Sequence, residues 1–492
     1  MSNLHLGELQ HLGRMMNRSF KNSLDRISNQ AAASAPQLVS AAFPFVPAQL
    51  SLIHFASTYL PADLLHRTFS FLGGRSALIC ATDVHSIQVS RDGRTRAGAD
   101  AICKKFHSSY QSAFNAFSIQ FNAYIRTDVD NHVAKTQSAL LLLENSGFLL
   151  EASVPQLRCQ SCKASPPKRL AQIKTRQLVC PWCGATELEW EASTHLMIDL
   201  ESVRDTIVGG VHISGHMRNW VNSILSQPLA PWCATRDNEV GLPLHRDIPG
   251  KSLYLWFESL VGYATMMDHL ATAGFAAKNV RLRHVIGKNI VYHHAILWPV
   301  IARCGLQIVN PLEVVVRGFA LDSCEWADHQ FDDPALRMFV LTKAPDSGAD
   351  FRLQEQEFKV FSNKIWSNKI ENFFERLSKI AKPPSGVVKL NSQWCNETIR
   401  TLDLLKNAVD QGATREITET ILAYLRYCGK FAVQTGLFWS QDKHDHEAAF
   451  VVGQFAVNML ALTSPQVVKD GEAFYGFYGS KNISQLVHNI NM

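Results

Sequence analysis

Two pairs of cysteines have the spacing of a metal site. Two residues separate Cys159 from Cys162 and Cys180 from Cys183, and 17 residues lie between the pairs. Four thiolates supplied by two tight turns form a tetrahedral cage, which suits structural zinc and leaves no open position for chemistry. The alternative interpretation is four unrelated buried cysteines. The pattern therefore predicts one structural Zn²⁺ and indicates nothing about a reaction.

The segments before and after these cysteines predict an α/β core that carries them as an insert. A β–α–β succession with this spacing is typical of a parallel sheet with crossover helices. Helical periodicity follows over 95–150, and apolar segments resume at 195–330. The succession consists of a short apolar strand at 42–45, an amphipathic helix at 59–72 and a buried strand at 76–81.

The C-terminal part of the chain has an almost purely helical pattern from residue 357 onward. At the other end, residues 1–41 finish in an Ala/Ser/Pro-rich stretch, 31–36, which predicts a linker. The predicted C-terminal helices are 358–380, 396–409, 415–435 and 448–462.

Composition excludes several classes of protein. With 492 residues, 46% of them hydrophobic and 18% charged, the chain can bury a sizeable core, so wholesale disorder is excluded. No apolar run approaches the length of a membrane span, and we expect no membrane partner. Eleven cysteines, an odd number, fit a reducing cytoplasm better than a disulfide scaffold. The net charge of +5 permits a nucleic-acid partner without indicating one.

Four segments resemble motifs of the methionyl-tRNA synthetase family of class I aminoacyl-tRNA synthetases, and they follow one another in the family's order. Residues 42–45 (AFPF) are similar to the family's opening ALPY strand, and residues 82–86 (TDVHS) to its TDEHG. Residues 252–263 (SLYLWFESLVGY) resemble YVWFDAPIGY, and residues 284–294 (HVIGKNIVYHH) resemble HFIGKDIVYFH. The family also places a zinc ribbon between the second and third of these motifs. Each motif alone is weak, and their order and spacing carry the resemblance.

The resemblance implies an amino-acid pocket that accepts an apolar side chain. Asp83 matches the acid that holds the substrate's ammonium group, whereas Ser259 and Leu260 stand where the family has Ala-Pro. An apolar slot closed by aromatic rings and a histidine suits a thioether. The alternative is that these are inherited core residues. The implied pocket consists of Ala42, Phe43, Phe45, Asp83, Trp256, Ser259, Leu260, Tyr263, Ile290 and His294.

The ATP-binding half departs from the family. Ser51, Leu52, Ile53 and His54 fall on the HIGH signature, of which only His54 remains as a catalytic remnant. The β-branched Ile53 replaces the glycine that lets adenine lie against the backbone. Of the nucleotide-binding GKD, Gly287 is kept while Asn289 replaces the aspartate, and the loop 320–332 has none of the KMSKS lysines.

The C-terminal helices resemble the family's anticodon-binding bundle. Asn372 and Arg376 lie one helical turn apart in a segment similar to the family's anticodon-reading helix. Trp439 matches the tryptophan whose ring stacks on an anticodon base. The alternative is a solvated polar face with a tryptophan in the bundle core.

These observations predict a Rossmann-type α/β class I synthetase core with a zinc-ribbon connective insert, followed by an all-helical anticodon-binding-type domain. We expect an N-terminal extension over 1–41, a catalytic-like domain over 42–345 and the helical domain over 346–492. The insert spans about 125–247, with the zinc ribbon at 155–190.

The function predicted is a methionyl-tRNA synthetase-like protein, a monomer that binds a methionine-type tRNA and an amino acid or analogue. We expect impaired ATP-dependent activation, because several charge-stabilising groups are absent and each is worth about 10²–10³ in rate. One alternative is an active methionine–tRNA ligase, which would need ATP and Mg²⁺. The other is a non-catalytic scaffold for interactions.

Overall fold

The structure is a computed structural model. It describes residues 18–86, 88–89, 96–163, 165, 172–174, 177–208, 210–213, 217–237, 241–275, 280–308, 312–321, 332–385, 388–471, 473–477, 479–480 and 482–490.

A six-stranded parallel sheet forms the centre of the molecule, with the strand order β3-β2-β1-β12-β13-β8. From β1 the chain runs outward through β2 and β3 on one side, and β12 and then β13 follow on the other side, inside the edge strand β8. This is the doubly wound arrangement that opens a crevice at the carboxyl ends of the strands. These strands are β1 Gln37–Ala41, β2 Ser76–Thr82, β3 Ala123–Arg126, β8 Val211–Ile213, β12 Arg281–Gly287 and β13 Leu312–Arg317.

Smaller antiparallel sheets build the insert between β3 and β12. Its main feature is a long hairpin of β4 with β7, paired from Leu149↔Ile198 to Cys159↔Leu188. The insert strands are β4 Leu149–Cys159, β5 Gln172–Lys174, β6 Gln177–Val179, β7 Leu188–Ile198, β9 Trp232–Cys233, β10 Thr235–Asp237 and β11 Lys251–Leu253.

Helices cover the sheet and form the C-terminal bundle. In the part of the chain that the structure describes, no helix is both long and apolar enough to cross a membrane. Around the sheet and insert they are α1 Arg18–Ala33, α2 (Leu52–His54, Phe55–Tyr59, Leu60–Phe71), α3 Arg96–Ala116, α4 Asp130–Asn145, α5 Arg204–Ile207, α6 Met217–Leu225, α7 Leu255–Thr272, α8 (Lys288–Ile290, His293–Leu297, Trp298–Val300, Ile301–Gly305) and α9 Pro334–Lys343. The bundle adds α10 (Glu355–Phe361, Ser362–Glu371, Asn372–Ser378), α11 Ser392–Gln411, α12 Thr414–Gln434, the turn Leu437–Trp439, α13 Lys443–Thr463, the turn Pro465–Gly471 and α14 Ile483–Ile490.

The opening strand lies earlier than predicted. The prediction of a strand at 42–45 is wrong, because β1 ends at Ala41 and its residues are fully buried. Pro44 has no N–H to donate to a sheet ladder, and the chain there makes only an isolated bridge between Phe45 and Asp83. Ala42, Phe43 and Pro44 therefore form an irregular segment at the carboxyl end of β1.

Three other local predictions also need correction. The predicted linker at 31–36 begins inside α1, where Ala31 is buried against the core. The helix predicted at 59–72 starts at Leu52. The helical pattern over 95–150 is interrupted by β3, which pairs with β2 at the edge of the sheet.

Hydrogen bonds and ion pairs of charged side chains connect the α11–α12 junction to the central sheet. Arg283, on β12, donates to the carbonyl oxygen of Val409 at 2.6 Å and pairs with Glu313 at 2.9 Å. Asp346 accepts from the backbone N–H groups of Arg415 and Glu416, each at 3.0 Å, and so caps α12. This joint sets the position of α12 relative to the sheet.

Candidate functional site

The buried carboxyl group of Asp83 lies at the carboxyl end of β2. Its Oδ2 accepts a hydrogen bond from the Ser259 hydroxyl, on α7, and its Oδ1 has no hydrogen-bond partner among the described residues. Burial, together with the neighbouring Glu258, raises the pKa of Asp83 well above its ordinary value. Among the residues that the structure describes, this buried carboxyl group has one free oxygen and no cationic partner, which suits it to receive an ammonium group.

Aromatic and histidine side chains pack beside Asp83. The Tyr263 hydroxyl lies 2.8 Å from Nε2 of His294, and Nδ1 of that histidine lies 3.0 Å from the carbonyl oxygen of Ile290. Nδ1 must therefore donate to the carbonyl, which leaves Nε2 to accept from the tyrosine. Burial lowers the pKa of His294 to about 4, so the ring is neutral at physiological pH.

Phe43 forms one wall of this aromatic group. Its ring centroid lies 4.6 Å from that of Tyr263, and a Cβ added to Gly262 would lie 2.7 Å from the phenylalanine ring. Trp256 is half-buried and stacks on His293 with centroids 4.3 Å apart. Leu260 and Ile290 are buried, Ala42 is half-buried and Phe45 is exposed. The structure thus brings the predicted pocket residues together at the carboxyl end of the sheet.

The remaining histidine of the predicted signature is engaged within its own helix. The N–H of Ser51 donates to Nδ1 of His54 at 3.1 Å, and together these residues form a capping box at the first turn of α2. Ile53 is half-buried against the core. Because Nδ1 accepts this hydrogen bond, a neutral His54 ring carries its proton on Nε2.

A second group of side chains covers the ends of β12 and β13. Lys288 pairs with Asp350 at 2.6 Å and lies over the Phe319 ring at 4.8 Å. Oδ1 of Asn289 would be 2.8 Å from a Cβ added to Gly287, so the amide lies directly over that glycine. Most of the predicted lysine-free loop, residues 322–331, lies outside the described residues, and its prediction stands on sequence.

The four predicted zinc ligands converge at the tip of the insert. All four sulfur atoms lie within 4.8 Å of one another; Sγ of Cys159 lies 3.5 Å from that of Cys183, and Sγ of Cys162 lies 3.8 Å from that of Cys180. Sulfurs at the usual 2.3 Å from a tetrahedral zinc would be about 3.8 Å apart. Burial opposes ionisation of Cys159, but hydrogen bonds within the cluster lower its pKa to about 7. The donor set and geometry fit structural zinc.

The bundle carries an aromatic and cationic surface around Trp439, which is 60% exposed. The guanidinium carbon of Arg376 lies 4.0 Å from the Phe438 ring centroid and 5.2 Å from that of Trp439. Asn372 lies one turn before Arg376 on the same helix and is exposed. The prediction that these residues share a face is consistent with this geometry, and the tryptophan does not lie in the bundle core. We refer to Asn372, Arg376, Phe438 and Trp439 as the platform.

A groove of about 730 Å³ extends from the platform between α10 and α12. Its lining contains four cations, Lys369, Arg376, Arg426 and Lys430, and no acidic residue of the described chain. The sequence prediction missed Arg426 and Lys430, although their spacing of four residues on a predicted helix was a usable signal. The prediction also missed the Ser259–Asp83 hydrogen bond, which joins residues far apart in sequence.

Sequence comparisons relate this chain to known proteins. A family model described as "tRNA synthetases class I (M)" matches residues 37–378. Methionine–tRNA ligases of Methanobrevibacter smithii and Methanosphaera stadtmanae are 26% and 24% identical, over alignments covering 69% and 84% of this chain. Those alignments cover 58% and 68% of the two relatives, so the chain matches little more than half of the first.

Solved structures share the fold. Mycobacterium tuberculosis methionyl-tRNA synthetase in complex with methionyl-adenylate superposes with a TM-score of 0.70 at 18% identity, covering 88% of this chain and 92% of the other. Its ligand-free form gives a TM-score of 0.68 at 17% identity, covering 88% and 90%.

Proposed function

The chain belongs to the methionyl-tRNA synthetase family of class I synthetases, and from that membership we propose that it binds tRNA while activating amino acids poorly. The tRNA would occupy the groove and platform, and the pocket beside Asp83 would hold methionine or a related amino acid. The cysteine cluster would hold one structural zinc ion.

The groove is the observation that carries the tRNA assignment. Single-stranded RNA is bound by surfaces that combine cations for phosphates with exposed rings for bases. Four cations and no acidic residue of the described chain line the groove, which leads to the exposed ring of Trp439. Packing of the bundle does not explain an exposed tryptophan beside these cations, whereas a bound anticodon loop would.

Impaired activation is supported by the state of the ATP-binding half. The resemblance assigns the triphosphate to the segment 51–54, where Ser51 and Ile53 stand at the positions of the family's first histidine and of its glycine. Lys288, at the end of β12, is held by Asp350 rather than free to meet a phosphate. Losing one preorganised charge-stabilising group costs about 10²–10³ in rate, and losses in one constellation do not add simply.

Methionine-dependent ATP–pyrophosphate exchange, run beside a tRNA gel shift, tests the proposal. We expect tRNA binding with exchange at background. Robust exchange followed by formation of methionyl-tRNA would instead identify an active methionine–tRNA ligase. A protein that shifts no tRNA at low salt would refute the proposal and leave only a scaffold.

A further inference from the structure

The groove between α10 and α12 has two walls, and each wall carries two of its four cations. Lys369 and Arg376 lie on α10, and Arg426 and Lys430 lie on α12. Phosphates along an RNA strand have a fixed spacing, so cations on two walls can meet them together only if the walls are correctly placed. The position of α12 relative to α10 therefore decides how many cations reach the RNA.

The first turn of α12 is capped from outside the helix. Its N-cap residue is Ala413, whose methyl side chain cannot accept from the free N–H groups of a helix start. Asp346, which is 69 positions from Arg415, supplies the cap instead. One of its carboxylate oxygens accepts from the N–H of Arg415 and the other from the N–H of Glu416, each at 3.0 Å. The segment after α9 thus determines where α12 begins.

Asp346 is in turn held at the end of β13. Arg317, the last residue of that strand, is fully buried and donates to Oδ1 of Asp346 at 2.8 Å and to the carbonyl oxygen of Pro345 at 3.2 Å. A Cβ added to Gly318 would overlap the carbonyl oxygen of Ala349, so the two backbone segments lie in direct contact. A charge-assisted hydrogen bond and close backbone packing therefore fix the Asp346 carboxylate relative to the sheet.

The cap and the groove cations lie on one continuous helix. Arg426 follows Arg415 by 11 residues, which is about 16–17 Å along the axis. A second groove, of about 820 Å³, lies between this stretch of α12 and the segment 342–361, and it shares Leu422 and Arg426 with the groove that faces α10. Because a helix of this length moves as a unit, a displaced first turn displaces Arg426 and Lys430 as well.

We propose that Asp346 is a positioning residue for RNA binding. By joining Arg317 to the first turn of α12, it holds Arg426 and Lys430 at the distance from α10 that a bound RNA strand requires. The inference rests on the proposed function and deepens it, because it names a residue outside the groove that sets the groove's shape. Asp346 itself acts only through α12.

The salt dependence of RNA binding tests this role. With an anticodon stem-loop, Asp346→Ala should lower the magnitude of the slope of log K against log salt by about 1.4, since Arg426 and Lys430 each contribute about 0.7 on single-stranded RNA. If the affinities converge at 1 M salt, binding at 0.1 M becomes about 25-fold weaker. The matched control is Asn391→Ala, which removes the cap of α11, where the side chain accepts from the N–H of Gln393 at 2.9 Å. It should leave the slope unchanged.

A double-mutant cycle distinguishes positioning from a loss of stability. In the Asp346→Ala background, Lys430→Gln should have little further effect, whereas Lys369→Gln, on α10, should weaken binding by the same factor as in wild type. A merely structural role would lower the thermal midpoint and leave both factors unchanged in the folded protein. If Asp346→Ala does not fold, Asp346→Asn, which keeps a single accepting oxygen, replaces it, with the same expectations at smaller size.

A measurement without RNA separates this inference from the proposed function. Spin labels on noncanonical residues at Val360 and Val433, which are 44% and 47% exposed on α10 and α12, report the distance between the two helices by double electron–electron resonance. Asp346→Ala should shift or broaden that distance, and Asn391→Ala should not.

The outcomes then have distinct meanings. An unchanged salt slope in Asp346→Ala, with RNA bound by the wild type, would overturn the positioning role and leave the RNA groove standing. A wild type that binds no RNA, together with a changed distance in Asp346→Ala, would overturn the proposed function and keep only the spacing of the helices.

Discussion

Replacing Trp439 with alanine should weaken tRNA binding without destabilising the fold. The ring is 60% exposed, so its removal takes away little packing, while one base stacked on an aromatic side chain is worth about 1–3 kcal/mol. That range corresponds to an increase in Kd of about 5- to 150-fold at 25 °C. Fluorescence anisotropy with a labelled anticodon stem-loop measures it directly, beside thermal unfolding to show that the fold is intact.

Variants of Arg376 and Lys430 distinguish recognition of anticodon bases from electrostatic attraction of phosphates. Its guanidinium lies against both platform rings, and a lysine keeps the charge but not the planar donor array. Arg376→Lys should therefore lose discrimination between a methionine anticodon and another anticodon, while Lys430→Gln should weaken both RNAs equally. Trp190→Ala, at another tryptophan that is 53% exposed, provides the matched control outside the bundle.

The salt dependence gives an independent count of phosphate contacts. If Lys369, Arg426 and Lys430 meet phosphates of a single strand while Arg376 reads a base, log K should fall with log salt at a slope of about −2.1. Lys430→Gln should reduce the magnitude of that slope by about 0.7. Unchanged affinity in Trp439→Ala, or a slope that is the same for Lys430→Gln, would show that RNA does not occupy this groove.

Three further predictions concern the metal, the chemistry and the stability. Purified protein should contain one zinc per chain by elemental analysis, and Cys180→Ser should lose it while the bundle stays folded; the absence of stoichiometric metal would contradict this. Methionine-dependent pyrophosphate exchange should stay at background even in the double variant Ser51→His, Ile53→Gly, since the lysine loop is still missing; rescue would show that the signature alone was limiting. Because burial lowers the pKa of His294 to about 4, against about 6.5 unfolded, the contribution of this histidine should lower the free energy of unfolding by about 2–3 kcal/mol between pH 7 and pH 4.5. Urea unfolding should show a flatter pH profile in His294→Gln.

The local sequence pattern predicted the structure correctly where a single helix, strand or turn determines it. The buried strand at 76–81 and the four C-terminal helices lie close to their predicted bounds, because apolar periodicity and burial agree there. The cysteine cluster converged as predicted, since paired turns bring their thiols together whatever surrounds them.

Prediction from the sequence failed where tertiary contacts determine the local structure. The segment 42–45 is apolar enough for a strand, yet the preceding five residues form the strand. They pair with β12 and β2, and no local sequence pattern reveals that pairing. The hydrogen bond between Ser51 and His54 depends on the local backbone geometry at the start of α2. The hydrogen bond of Ser259 to Asp83 joins residues 176 positions apart.

The structure also gives different weights to the two binding sites that the sequence suggested. Tyr263 and His294 are buried and hydrogen-bonded to each other, so packing alone accounts for their presence in this chain. Packing does not account for Trp439, whose ring is mostly in solvent. The groove beside it lies against α12, whose first turn is capped by Asp346 of the segment after α9, so bound RNA would be held in a fixed relation to the sheet. Hence packing accounts for the aromatic pocket and does not account for the platform, and tRNA binding is the function to measure first.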